Sequence, residues 1–184
     1  MTRARVAALA AGAAALAACG AGESRHMSAE EVAAELRTMR IEPGLWEVTS
    51  IVTGASGPNL PRAAEARIKG HRRTLRNCIT PAQAARPEAN FLRIQESGHC
   101  TYRDFSMRGG RVQGEMMCSG AGQPGTMTTR MEGRHGPRNY DMRMRMTSTG
   151  MPEGGNMIID TRTIGRRIGD CPPAAPQPTK GGSG

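Results

Sequence analysis

Five cysteines, thirteen methionines and four histidines are the side chains through which this 184-residue chain could do chemistry beyond charge. Cys19 closes the stretch Leu16-Ala17-Ala18-Cys19-Gly20. Small residues there precede a thiol able to take a diacylglycerol, the pattern of a bacterial lipobox. The plainer alternative is a secretory cleavage site that happens to precede a cysteine, but the register of Cys19 after the apolar run favours lipidation. Setting Cys19 aside leaves Cys78, Cys100, Cys118 and Cys171. An even remainder in an exported chain reads as two disulfides with three possible connectivities. No Cys-x-x-Cys spacing suggests a zinc or dithiol redox site. Cys100 and Cys118 flank Gly109-Gly110, as the ends of a hairpin would, so they are expected to pair, leaving Cys78 with Cys171.

The methionines have the most regular spacing. Met142, Met144 and Met146 fall on one side of an extended segment, and Met127 and Met131 repeat the pattern earlier. Thioethers fill irregular cores where Leu and Ile are lacking, and Val, Leu, Ile and Phe together number only 23 here. The alternative is a Cu(I) site made by these five sulfurs, since soft thioethers select Cu(I). The core role is the favoured expectation, and no cofactor is expected. Signs of catalysis are weak. His26, His71, His99 and His135 are scattered, with no His-x-x-x-His pair, and neither a Gly-x-Ser-x-Gly elbow nor a phosphate-cradling glycine loop occurs. The chain is read as a non-enzymatic envelope lipoprotein, a binding or envelope-maintenance module.

Residues 1–18 carry Arg3 and Arg5 ahead of an Ala/Leu-rich run from Val6 to Ala18. That run is too short to span a bilayer core and reads as an export signal. With Gly rather than Asp at position 20, the expected destination is the outer membrane, facing the periplasm, with the protein held by the lipid on Cys19. Residues 19–40 are expected to be a tether, up to Met27, and a short helix over 29–38. That helix opens with the capping-box pattern Ser28-x-x-Glu31 and carries Val32, Leu36 and Met39 on one side. Residues 41–171 should form one domain, with strands over 45–53, 72–79, 100–107, 111–119, 126–133, 139–148 and 157–166. Trp46 is expected in its core. A helical patch over 62–68 and a short helix capped by Thr80-Pro81 interrupt the strands. The fold class is mainly β: a single antiparallel meander curled into a barrel or sandwich so that one face is dry. Residues 172–184, with four prolines and a Lys-Gly-Gly-Ser-Gly end, read as a disordered tail.

The formal charge is +9. Nucleic acid is not an expected partner for an exported chain with five aromatic residues and so no stacking platform. An arginine-rich solvated surface is the bland explanation. Among ligands, an apolar molecule on the sheet or an anionic envelope component suits the chain best.

Several separated motifs carry a family likeness. Pro43-Gly44-Leu45-Trp46-Glu47-Val48-Thr49 opens the series and Cys78-Ile79-Thr80-Pro81 follows. Then come Cys100, Gly110-Arg111-Val112 leading to Met116-Met117-Cys118, and Gly165-Arg166-Arg167-Ile168-Gly169-Asp170-Cys171. In this order they resemble DUF3617, exported proteobacterial proteins of unknown function, often lipoproteins. The likeness spans residues 42–171. It implies a four-cysteine framework and a single β-rich domain, and supplies no catalytic residue. The linker 54–77, with its basic cluster, departs from the family's usual composition.

Overall fold

Period-two alternation puts successive side chains on opposite faces of a strand, and most of the chain obeys it. The computed structural model describes residues 25–89, 99–119, 125–150 and 155–173. Among these, eight strands form one antiparallel sheet: β1 (His26–Met27), β2 (Gly44–Ser56), β3 (Arg72–Ile79), β4 (His99–Ser106), β5 (Arg111–Ser119), β6 (Thr126–His135), β7 (Asn139–Thr149) and β8 (Met157–Gly169). Their order is β1-β4-β5-β6-β7-β8-β2-β3. The helices are α1 (Ala29–Arg37), α2 (Arg62–Ile68) and α3 (Pro81–Ala84).

The expected closure into a barrel or sandwich does not occur: the strands form one open sheet. The meander β4 to β8 is extended at one end by the β2–β3 hairpin and at the other by the two residues of β1, and these two edges do not pair. One face of the sheet is lined with arginines and carboxylates. Closure or a second layer would take those charges out of water, which costs several kcal/mol per ion before pairing offsets it.

Two further details differ from expectation. The residues from Gly54 on, expected as a linker after a strand ending at 53, continue as strand. A register shift between Val52 and Gly54 lets β2 stay paired to β8 as far as Ser56. The end of the expected tether is also ordered. His26 and Met27 pair with Arg103 and Tyr102, and the backbone N–H of Arg25 donates to the Asp104 carboxylate at 2.7 Å. The lipobox with Cys19, the export signal, and the tail beyond residue 173 lie outside the described residues. Among the described residues no helix is long and apolar enough to cross a membrane.

The core lies between α1 and the apolar face of the sheet. Ser28 and Glu31 form the reciprocal capping box, which starts α1 where it can lay Val32 against Tyr102, Phe105, Met107 and Val112. Val32 is fully buried, so the segment 19–40, set apart in the sequence reading, supplies a central core residue. A bulge in β4 brings Phe105 to this side. The register shifts between Arg103 and Ser106, and Asp104 takes a left-handed φ of 51°. The extra residue puts both Tyr102 and Phe105 on the dry face. Phe105 then packs over Gly114, where an added Cβ would fall 2.7 Å from its ring.

Candidate functional site

The structure joins Cys78 to Cys171 and Cys100 to Cys118, across sequence separations of 93 and 18. Cys100 and Cys118 are cross-strand partners of β4 and β5. The other bridge ties the edge strand β3 to the chain just beyond β8. Both are staples of the sheet rather than parts of a cleft.

The five methionines of the Cu(I) alternative share the apolar face. Met131 sits directly opposite Met144, while Met142 faces Gly133, Met146 faces Thr129 and Met127 faces Ser148. Met131 and Met142 pack against the core under α1, and Met127 is 39% exposed. Among the described residues no group of three or more His, Cys, Asp or Glu could hold a metal. His26 and His99 start strands on the β1–β4 edge and His71 precedes β3. His135 ends β6 with both ring nitrogens buried and without a hydrogen-bond partner among the described residues.

The opposite face is where charge concentrates. Reading the register across the strands gives three charged rows. Arg103 of β4, Glu115 of β5, Arg130 of β6, Arg145 of β7 and Asp160 of β8 are successive partners. A second row runs Gln113, Glu132, Arg143, Arg162. A third runs Arg111, Arg134, Asp141. Over these rows lies a trough of about 1280 Å³. Nearer the other edge, Glu47 of β2 sits between Arg166 and Arg76.

Carboxylates between arginines hold this face together. Glu47 accepts from Arg166 at 2.6 Å and from Arg76 at 3.0 Å. Those two bonds, Arg166 first, hold its carboxyl below the ordinary range. Glu115 is lowered in the same way, by Arg130 foremost and also by Arg103, against the opposing effect of burial. Asp141 is lowered chiefly by Arg162, whose Nε donates to it at 2.8 Å, and Arg143 adds its field. Arg145 and Arg162 are raised in turn by Asp160 and Asp141. Arg111, Arg134 and Arg143 are exposed and make no salt bridge among the described residues. These three, with the paired arginines around them, are what sequence reasoning missed. The visible signal was the alternation of Arg143 and Arg145 with methionine, and strand pairing then placed other arginines opposite them.

The first and last of the family motifs meet elsewhere, at the seam of β2 and β8, while Arg111 and Val112 of the middle motif line the trough. Arg167 Nε donates to the Pro43 carbonyl at 2.7 Å, and its guanidinium also bonds Asp170. The Trp46 indole is 2% exposed, donates to the Glu42 carbonyl at 3.0 Å and stacks on Tyr140 with ring centroids 6.1 Å apart. Tyr140 lies across Gly165. The Pro-Gly-Leu-Trp and Gly-Arg-Arg-Ile-Gly-Asp-Cys segments thus anchor each other and leave the trough to residues outside them.

Among curated proteins and solved structures, none matches the chain. A family model described as a protein of unknown function, DUF3617, matches residues 41–171.

Proposed function

The chain belongs to the DUF3617 family, whose description assigns no activity, and we propose from its own residues that it is a non-enzymatic binding module of the bacterial envelope. In this reading the lipid on Cys19 anchors it to the outer membrane, facing the periplasm, and the charged face of the sheet engages an anionic envelope component. The observation that carries the reading is the trough, lined by seven arginines and five acidic residues. A solvated arginine surface of ordinary kind is scattered; here seven arginines line one trough, where fields from neighbouring charges add. Of the two ligand classes the sequence suggests, an apolar molecule fits this face poorly, because most of the residues that line the trough are charged.

The test is cosedimentation of the lipidated protein with vesicles of zwitterionic phospholipid, with and without an added anionic lipid. Association that requires the anionic lipid and fades as salt shortens the Debye length from about 30 Å at 0.01 M to about 8 Å at 0.15 M supports the reading. Equal partitioning into both vesicle types at low salt sinks it. Anchoring is checked separately: Cys19→Ala should release the protein into the soluble periplasmic fraction, and retention in the membrane fraction would contradict the lipid.

The direct opposition of Met131 and Met144 favours one second reading, Cu(I) sequestration by the methionine face. Replacing Met142, Met144 and Met146 together by Leu should then abolish Cu(I) binding and leave the fold intact. Unchanged affinity would dismiss it.

A further inference from the structure

Within the trough, strand register sets arginines directly against arginines at three places: Arg111 opposite Arg134, Arg130 opposite Arg145, and Arg143 opposite Arg162. Opposed residues on antiparallel strands hold their Cβ atoms about 4.5–5.5 Å apart, and like charges so placed oppose folding. Carboxylates relieve part of this. Glu115 bonds Arg130, Asp160 bonds Arg145 and Asp141 bonds Arg162. Arg111, Arg134 and Arg143 make no such bond among the described residues. They lie on the consecutive strands β5, β6 and β7, which are spaced about 4.8 Å apart. Arg143 is two residues from Asp141, the partner of Arg134. All three are exposed and line the trough.

We infer that Arg111, Arg134 and Arg143 form a seat for the phosphate monoester of an envelope molecule. This rests on the reading of the trough as an anion site and names the group it takes. The acidic side chains facing the cluster are Glu132, opposite Arg143, and Asp141, opposite Arg134. Asp141 is already bonded to Arg162, which leaves Glu132 as the only acid there without a salt bridge among the described residues. Three guanidinium charges against one free carboxylate leave a local excess of two positive charges. A phosphate monoester carries about −1.5 to −2 at neutral pH, which matches that excess. A diester or a single carboxylate carries half as much. The planar guanidinium fork also meets phosphate oxygens two at a time, which an ammonium cannot do. Strand pairing fixes the three backbone positions, so the spacing of the array exists before the ligand arrives and only the side chains remain to be ordered on binding.

The experiment uses the lipidated, disulfide-bonded protein and three sets of vesicles: zwitterionic phospholipid alone, with phosphatidic acid as the monoester, and with phosphatidylglycerol as the diester at equal total charge. The expected result is tighter binding to the monoester vesicles, reduced about tenfold or more in Arg111→Gln/Arg134→Gln/Arg143→Gln. The control Arg37→Gln/Arg73→Gln/Arg86→Gln, which removes the same charge outside the trough, should keep the preference. Replacing the three trough arginines by Lys should lose part of the affinity, since charge remains and the fork does not. Soluble glycerol 3-phosphate distinguishes the two sources of the group. Competition at equal phosphate concentration means that the free ester suffices, and competition only in large excess assigns the seat to a lipid headgroup; either supports the seat. The inference falls if monoester and diester vesicles bind alike, or if both glutamine triples lose affinity equally. In those cases the anion-binding reading stands on its own. If the unmodified protein binds no anionic vesicle, that reading fails first.

Discussion

Gly165 shows how much a single side chain can decide here. It faces Tyr140 across β7 and β8, and a Cβ added to it would fall 2.2 Å from the ring. The missing side chain is what lets the phenol lie flat and reach Trp46. Gly165→Ala should therefore cost about 1–3 kcal/mol, read as a lower denaturant midpoint, and should lose the near-ultraviolet dichroism of the Trp46–Tyr140 stack. An unchanged midpoint would mean that the ring moves aside freely. Arg111 gives the opposite sign. It faces Arg134 on β6 without a carboxylate between them, so Arg111→Glu replaces a repulsion by an attraction. Cross-strand pairs of this kind are worth about 0.2–1 kcal/mol. The variant should unfold at higher denaturant than the natural chain even as it weakens anion binding, and a lower midpoint would refute this account of the pair. A residue kept at some cost to stability is what a binding function would explain.

Among the elements, β3 is the exposed one. Seven of its eight residues are exposed, including Leu75 at 49%, and it pairs only with β2. Apart from that ladder, the disulfide from Cys78 to Cys171 is what ties it to the rest of the molecule. Closing a loop of this length contributes about 4.5 kcal/mol on the chain-entropy model, against about 3 kcal/mol for the shorter Cys100–Cys118 loop. The predicted consequence is ordered. Cys78→Ser/Cys171→Ser should raise amide exchange in β3 and the start of β2 well before the β4–β7 meander responds. Cys100→Ser/Cys118→Ser should instead loosen β4 together with α1, which packs on it. Uniform acceleration over the whole sheet in either variant would show that the sheet opens as one unit. Exchange is the suitable readout because local openings span the range from near zero to the global stability.

For the whole molecule, the arginine–carboxylate lattice sets how stability depends on pH. Glu47, Glu115 and Asp141 all have carboxyls held below their ordinary values by neighbouring guanidinium groups. A carboxyl with a lowered folded-state pKa adds stability that is fully present above the unfolded-state value, about 4, and disappears as pH falls through the folded-state value. The formal charge of +9 grows as acids are neutralised, which works in the same direction. Thermal midpoints should hold level from neutrality down to about pH 5 and fall steeply below about pH 4. Glu47→Gln/Asp141→Asn should begin from a lower midpoint and show a shallower acid limb. An acid limb as steep as the natural chain's would show that these carboxylates do not govern it. The same lattice makes an open sheet workable: the charged side remains in water, and α1 covers the part of the other side around Tyr102 and Phe105.

Much of the architecture was legible without coordinates because it depends on local rules. The alternation after Cys100, the capping boxes at Ser28 and Thr80 and the helical patch over 62–68 act within a few residues, and the strands and helices lie where those signals point. Family membership was legible too, since most of its motifs are short unbroken runs of residues that recur in a fixed order. The open form of the sheet was not. Alternation shows that a strand has two unlike faces and is silent on whether the edges meet. Nor was the ordered end of the tether, because the pairing of His26 and Met27 with β4 joins segments some 75 residues apart in the chain. The arginine trough was hidden for the same reason. Arg111, Arg134 and Arg143 each look like an ordinary solvated arginine along the chain, and antiparallel register alone makes them neighbours. Composition and short-range pattern determine what each strand can be; which charges face one another is decided by pairing between strands, a property of the folded sheet.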